Sequence, residues 1–453
     1  MSTMSTLVTA LPITTEYRAR FRGSAADTAT VTGSSRRALG RRGVRRERSG
    51  GRTVGGECRG RDAKTTREGQ GMSYGRRVVV ALGMVALMLG SLAGPPAVEA
   101  QQVVKIGVEG PITGSLAKMG QELANAVKLA AEDWNKKGGV LGKKIEVVEL
   151  DDQNNPQAGV AAAEKAVADP AVLGVVIGVA SAICIPASEV FERANLTMIS
   201  PGCSSPKVTD RGLKVTNRVC ARDDFQGPAM AIFAVQELKA KKIAIFDDGT
   251  TGPRVGADEV EKKAKALGAT THRYVIRSGD KDFRAVLGTI PKDIDLLVPV
   301  LWAPDAALIA KQLPDVGLNV RMIGPDGQFE PVDYIEASGG AAEGNYVTFF
   351  VPDMKKVPAA VEFVKAYEAK YGPLSSYGPL AYEAANIILS AVKKAGKADR
   401  AAVRDAVRTT KGYRGILGQD ITFDDKGDVA GPTLYVYQVK GKSFELVKPV
   451  VVK

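Results

Sequence analysis

The sequence predicts an α/β protein of two doubly wound parallel-sheet lobes, and three observations carry that expectation. Apolar, β-rich runs alternate with helical periods from Gln101 onward. The alternation restarts near Gly227 and yields a second half of similar size. No long linker separates the halves. A β-α-β-α order calls for parallel strands covered by helices on both faces.

The first half opens with VVKIGVEG (103–110), a buried strand. GQELANAVKLAAEDWNKKGG (120–139) is an amphipathic helix stopped by Gly138-Gly139. A strand over 143–152, a helix from Pro156 to Asp169 and a strand over 172–178 follow. Pro186 to Ala194 reads as a helix and 197–202 as a strand. In the second half the helices are Gly227–Ala240, Val255–Leu267, Asp282–Ile290 and Asp305–Val316. They alternate with strands over 241–248, 269–276, 295–301 and 321–326. After NYVTFFVP (345–352) come two longer helices, Pro358–Tyr371 and Leu380–Ala395. The chain closes with ITFDD and TLYVYQVK, expected to pair as a hairpin around Lys426-Gly427.

The net charge of +12 over 453 residues suggests a nucleic-acid binder until it is located. Residues 1–71 hold 15 Lys/Arg against 6 Asp/Glu, while the 353 residues after position 100 carry only about +2. The Arg-rich front has no sustained apolar period, so it is expected to be disordered and absent from the mature protein. From Met72, Arg76-Arg77, the apolar run Val78–Leu92 and Val98-Glu99-Ala100 form a Sec-type signal peptide over 72–100. Gly83 and Gly90 break that run, which falls short of the ~20 residues that span a bilayer. Export to the periplasm is the expectation. Cys184, Cys203 and Cys220 remain in the exported part, enough for one disulfide, and three pairings are open.

In open α/β sheets a ligand sits beyond the carboxyl ends of the strands. That rule selects the loops after Val108, Gly178, Ser200, Asp247, Leu301 and Pro325. Catalytic signatures are missing from them: there is no GxSxG elbow, P-loop or HExxH, and His272 is the only histidine. The acid pairs Asp151-Asp152 and Asp223-Asp224 read as charge on strand ends and turns rather than as acid–base machinery. The loops ending at Ser181 and running Ser200–Ser204 offer hydroxyls and backbone N–H groups, which suit a carboxylate. Asp326, in Gly324-Pro325-Asp326-Gly327, adds an acid from the second half. Together they complement a zwitterion. The expectation is a binder rather than an enzyme, with no metal or cofactor.

At this resolution of detail the chain resembles a known family. KIGVEGPITGSLAKMGQ, GGVLGKKIEVVELDDQNNP, IPASEVFERANLTMISPGCSSP, RVCARDDFQGPAMA, the IGPDG turn and FDDKGDVAGP occur in its order and spacing. That family is the leucine/isoleucine/valine-binding group of periplasmic substrate-binding proteins. The resemblance implies the type I two-lobed fold with a three-crossing hinge. Lobe 1 would be 101–221 plus 353–430, and lobe 2 would be 222–352 plus 431–453. It further implies amino-acid capture for an ABC transporter permease, by a monomer with no nucleic-acid partner. Ser181, Gly202 and Ser204 match contacts to the ligand's carboxylate and ammonium, and Asp326 matches the acid that meets the ammonium. Trp302, Tyr377 and Met119 match pocket-wall positions. Where the family often has a tyrosine, this chain reads Thr250-Thr251-Gly252, so an aromatic contact is lost. Another small solute (an amide, urea or an aromatic acid) or a ligand-sensor role are the alternatives.

Overall fold

The computed structural model describes residues 103–450 and 452, so the expectations for 1–71 and 72–100 lie outside the described residues. The first lobe is built from β1 (Val104–Gly110), α1 (Ala117–Lys136), β2 (Ile145–Asp151), α2 (Pro156–Ala168), β3 (Val172–Ile177), α3 (Ser181–Arg193), β4 (Thr197–Ser200) and β5 (Thr216–Arg218). Its strands pair in the order β2-β1-β3-β4-β5, all parallel. Every residue of β3 and β4 is buried, as sandwiched parallel strands require. The strand order reverses between β1 and β3, which puts a crevice at their carboxyl ends.

Local chemistry sets the helix starts. Asn155 accepts hydrogen bonds from the N–H groups of Gln157 and Ala158 at 2.9 and 3.1 Å, and Pro156 fills the first helical position of α2. At α3 and at α4 (Asp223–Ile232) the structure corrects the sequence reading. These helices begin at Ser181 and Asp223, not at Pro186 and Gly227, and carry Pro186 and Pro228 inside. Proline is a good first-turn residue, so a reading of the sequence starts each helix too late.

The second lobe continues from α4 with β6 (Lys242–Asp247), α5 (Thr251–Ala266), β7 (Thr270–Val275), the single turn α6 (Arg284–Leu287), β8 (Leu296–Pro299), α7 (Ala303–Gln312), β9 (Arg321–Gly324) and β10 (Tyr346–Phe349). The chain then returns to the first lobe with α8 (Val361–Tyr371), α9 (Gly378–Ala395) and α10 (Arg400–Arg408). Helix α9 packs on α1, β3 and β4, and α10 packs on α9. After β11 (Tyr413–Arg414) and β12 (Asp420–Ile421) the chain re-enters the second lobe as β13 (Leu434–Lys440) and β14 (Ser443–Val450). The second sheet runs β14-β13-β10-β9-β8-β6-β7, with β13 and β14 antiparallel. The chain therefore crosses between lobes three times: after β5, after β10 and before β13.

Two expectations at the end of the chain fail. ITFDD and TLYVYQVK do not pair with each other; β12 pairs with β11, and β13 lies between β10 and β14. Helix α10 was not anticipated, although Asp399 caps it by accepting from Ala402 N–H at 2.9 Å.

A buried ion cluster ties the first and third crossings together. The Arg218 side chain is wholly buried and donates from Nε to Asp428 Oδ1 at 2.5 Å. Its Nη1 reaches the carbonyls of Cys203 and Ser205 at 2.8 and 3.0 Å. Arg222 Nη1 donates to Asp428 Oδ2 at 2.8 Å. The disulfide joins Cys184 on α3 to Cys203, which leaves Cys220 as a buried free thiol.

Candidate functional site

A cavity of about 190 Å³ lies between the carboxyl ends of the two sheets. Ser181, Gly202, Ser204, Trp302 and Asp326 all line it, from four different loops. The first-lobe wall comes from the loops after β3 and β4, which the Cys184–Cys203 disulfide binds to each other. Ser181 is the first residue of α3, so its hydroxyl sits at the positive end of that helix. Its Oγ accepts a hydrogen bond from Ser205 N–H at 3.1 Å, which leaves its own proton to donate into the cavity. Gly202 N–H is taken by Ser200 Oγ at 3.2 Å, so the group it can offer a ligand is its carbonyl. A Cβ at Gly202 would stand 2.7 Å from Tyr377 Cε1 and 3.0 Å from Val179 Cγ1. Gly202→Ala is therefore expected to push Tyr377 or the loop aside and to cost about 1–3 kcal/mol in stability, read as a lowered Tm.

The opposing wall belongs mostly to the second lobe. Asp326 is buried and accepts a hydrogen bond from Tyr377 Oη; Gln226 bonds its carboxylate as well. Burial pushes its acid up to about 6, against those hydrogen bonds. Trp302 is half-buried at the start of α7, with its ring so close that a Cβ on Gly327 would stand 2.9 Å from Cε3. Thr250 and Gly252 line the cavity at the mouth of α5, and a Cβ on Gly252 would lie 3.6 Å from Ser181 Oγ. The starts of α3 and α5 thus face each other across the cleft. The Thr250 hydroxyl is engaged with Asp248 Oδ1.

Two expected wall residues are elsewhere. Met119, on α1, is 2% exposed and packs in the buried apolar core. Tyr377 is fully buried behind Gly202, so it touches the site through Asp326 rather than as wall. Tyr377 sits one layer below the cavity because Gly202 comes between.

Sequence reasoning missed Asp223 and Gln226. Asp223 opens α4, lines the cavity and is buried, and its Oδ2 has no hydrogen-bond partner. Burial pushes its acid up to about 7, the Ser204 hydroxyl opposes that, and the nearby Asp326 charge adds to it. Its sequence neighbour Asp224 is an ordinary surface acid paired with Arg222 at 2.8 Å. Helical spacing from Asp223 would have brought out Gln226, whose Nε2 donates to Thr348 Oγ1 at 3.0 Å. Among the described residues no Lys, Arg or His lines the cavity, so the cleft offers hydroxyls, helix starts, Asp248 and the two adjacent buried acids Asp223 and Asp326.

Comparison with known proteins agrees with this geometry. The periplasmic binding protein family matches residues 103–443. The Leu/Ile/Val-binding protein BraC3 of Rhizobium johnstonii is 32% identical over 358 residues, covering 78% of this chain and 96% of that protein. Leu/Ile/Val-binding protein homolog 2 of Brucella abortus is 34% identical, over 74% of this chain and 89% of its own length. Among solved structures, the leucine binding protein LivK of Thermotoga maritima superposes with a TM-score of 0.71 at 32% identity, covering 77% of this chain and 99% of that one. LivJ of Streptococcus pneumoniae in complex with isoleucine gives 0.70 at 26% identity, covering 77% and 100%. The two-lobed fold, the three crossings and these relatives lead to one conclusion: the chain belongs to the periplasmic binding protein family, within its Leu/Ile/Val-binding group.

Proposed function

We propose that the protein is the exported substrate-binding component of an ABC transporter, which captures a branched-chain or related amino acid and delivers it to the membrane permease. One observation carries the reading. Across a single cleft, Ser181 and the start of α3 oppose the buried acids Asp223, which the Ser204 hydroxyl bonds, and Asp326. Donors suit the ligand's carboxylate, and the acids suit its ammonium. The Leu/Ile/Val-binding relatives and the isoleucine complex of LivJ support the same class of ligand.

Binding then proceeds by closure without turnover. The zwitterion docks on the Ser181 hydroxyl and the start of α3, and Asp326 with Trp302 comes down from the second lobe and excludes water. The ligand's ammonium gives Asp223 and Asp326 the counter-charge that, among the described residues, no Lys, Arg or His lining the cavity supplies, which offsets the cost of keeping two carboxylates out of water. The closed form, favoured by ligand, is the state the permease reads in the periplasm. A thermal-shift screen of amino acids and small acids tests the reading, because a ligand that binds only the native state raises its midpoint. A raised midpoint with leucine, isoleucine or valine is expected. Shifts confined to amides, urea or aromatic acids would rule the reading out.

A further inference from the structure

Behind the cleft, a second set of buried acids joins the lobes. Glu122 lies on α1 of the first lobe, and Glu330 follows Asp326 in the second; they are 5% and 4% exposed. The segment entering α9 grips both. Ser375 N–H and Gly378 N–H donate to Glu122 Oε1 at 3.0 Å each, and the Ser375 hydroxyl donates to Oε2. A Cβ on Gly378 would stand 2.6 Å from Glu122 Oε1, so the approach depends on glycine. The next hydroxyl, Ser376, donates to Glu330, and Tyr377 donates to Asp326. Consecutive first-lobe residues thus clasp two second-lobe carboxyls.

The surroundings of this pair are short of positive charge. The groups facing it are Lys118 and Glu122 from α1, Tyr367 from α8, Ser375 to Tyr377 ahead of α9, and Asp333 beside Glu330. Lys118, the one cation among them, is mostly exposed and pairs with Asp333 at 3.4 Å. Two carboxyls buried together without a cation cannot both ionise cheaply. Burial, and then the Glu122 charge, raise the Glu330 acid from 4.5 to about 8.

We propose that ligand capture takes up a proton at the Glu122–Glu330 pair, with the Ser375–Ser376 clasp as the positioning element that brings the two carboxyls together on closure. The inference rests on the closing mechanism above. Opening the lobes carries Glu330 away from Glu122 and Ser376 into water, where a carboxyl ionises near its ordinary value. Closing reverses this and binds a proton. Affinity therefore falls as pH rises from the ordinary carboxylate value towards about 8, by up to tenfold per pH unit for one proton, and levels off above. Asp223 and Asp326 act in the opposite sense, because an ammonium draws protons off them. Comparison with Glu330→Gln cancels their contribution, since the amide mimics the protonated acid and can still accept from Ser376.

Calorimetry of leucine binding at pH 7 in phosphate and in Tris counts the protons. Wild-type protein is expected to take up as much as one proton more than Glu330→Gln. The ratio of wild-type to variant Kd is expected to grow up to tenfold per unit between pH 6 and 8. Glu122→Gln is expected to diminish the uptake too, and serves if the first variant folds poorly. Equal proton counts and equal pH slopes in all three proteins would overturn the inference. If leucine binds none of them, the proposed ligand fails while the clasp stays testable by small-angle scattering without ligand. Wild-type protein is then expected to expand between pH 5.5 and 9 and Glu330→Gln to stay constant. A wild-type radius independent of pH would overturn the clasp.

Discussion

Asp326→Asn is expected to weaken leucine binding by about 10²-fold, with little change in thermal stability. Truncating the charge of one partner in a buried, hydrogen-bonded pair costs about 2–5 kcal/mol, and each 1.4 kcal/mol is tenfold in affinity. The charge at issue is well enclosed: Asp326 is 6% exposed, with Tyr377 and Gln226 bonded to it. Asparagine keeps an oxygen for the Tyr377 hydroxyl, so the fold has no reason to suffer. What is lost is the counter-charge to an ammonium. The same reasoning gives an acid limb: burial raises the Asp326 acid, to about 6 in the closed cleft, so as pH falls the carboxyl takes a proton, its counter-charge to an ammonium is lost and affinity drops. Calorimetric titration with a thermal melt separates the two effects. An unchanged leucine affinity in this variant would remove Asp326 from the site.

Asp428→Asn is expected to act the other way, on stability rather than on ligand contacts. The Arg218 side chain has no exposure, and Asp428 is its only carboxylate partner among the described residues, at 2.5 Å. Removing one partner of a buried ion pair strands the other charge, at a cost of about 3–5 kcal/mol. At roughly 2–4 °C per kcal/mol for domains of this size, Tm is expected to fall by about 10 °C. Burial works to raise the Asp428 acid, but Arg218, Arg222 and Thr209 outweigh it and hold it below 3.8. A depressed acid stabilises the fold above its ordinary value and loses that contribution as pH falls through the native one. The gap between wild type and variant is thus expected to be full at neutral pH and to close only in strong acid. Asp282→Asn serves as control: its partner Arg284 is half exposed, and pairs of that kind are worth about 0–1 kcal/mol. Comparable Tm losses in both variants would show that the Arg218 cluster has no special weight.

Much of this was legible in the residues because the relevant signals are local. Buried parallel strands such as VLGVVI announce themselves as apolar runs, and the loops that follow them carry Ser181, Ser204, Trp302 and Asp326. What escaped depends on contacts far apart in sequence. The helix starts at Ser181 and Asp223 both run against the usual place of proline. Asp223 looked like half of a surface acid pair, since nothing in the sequence says that Asp224 turns outward to Arg222 while Asp223 turns in. Tyr377 and Met119 were expected too far forward, because depth below a wall is not a property of spacing. Strand β14 hid for another reason: its residues are mostly exposed, so SFELVKPV has no buried face to read.

The central claim is that the cleft recognises both charges of a zwitterion, and one comparison tests it most directly. Leucine is titrated calorimetrically into the protein beside 4-methylpentanoic acid, which lacks the ammonium, and leucinamide, which lacks the carboxylate. The account expects leucine to bind and each analogue to lose about 10²-fold or more, since each leaves one wall's polar groups unpaired. If 4-methylpentanoic acid binds as tightly as leucine, Asp223 and Asp326 are not reading an ammonium, and the account is wrong.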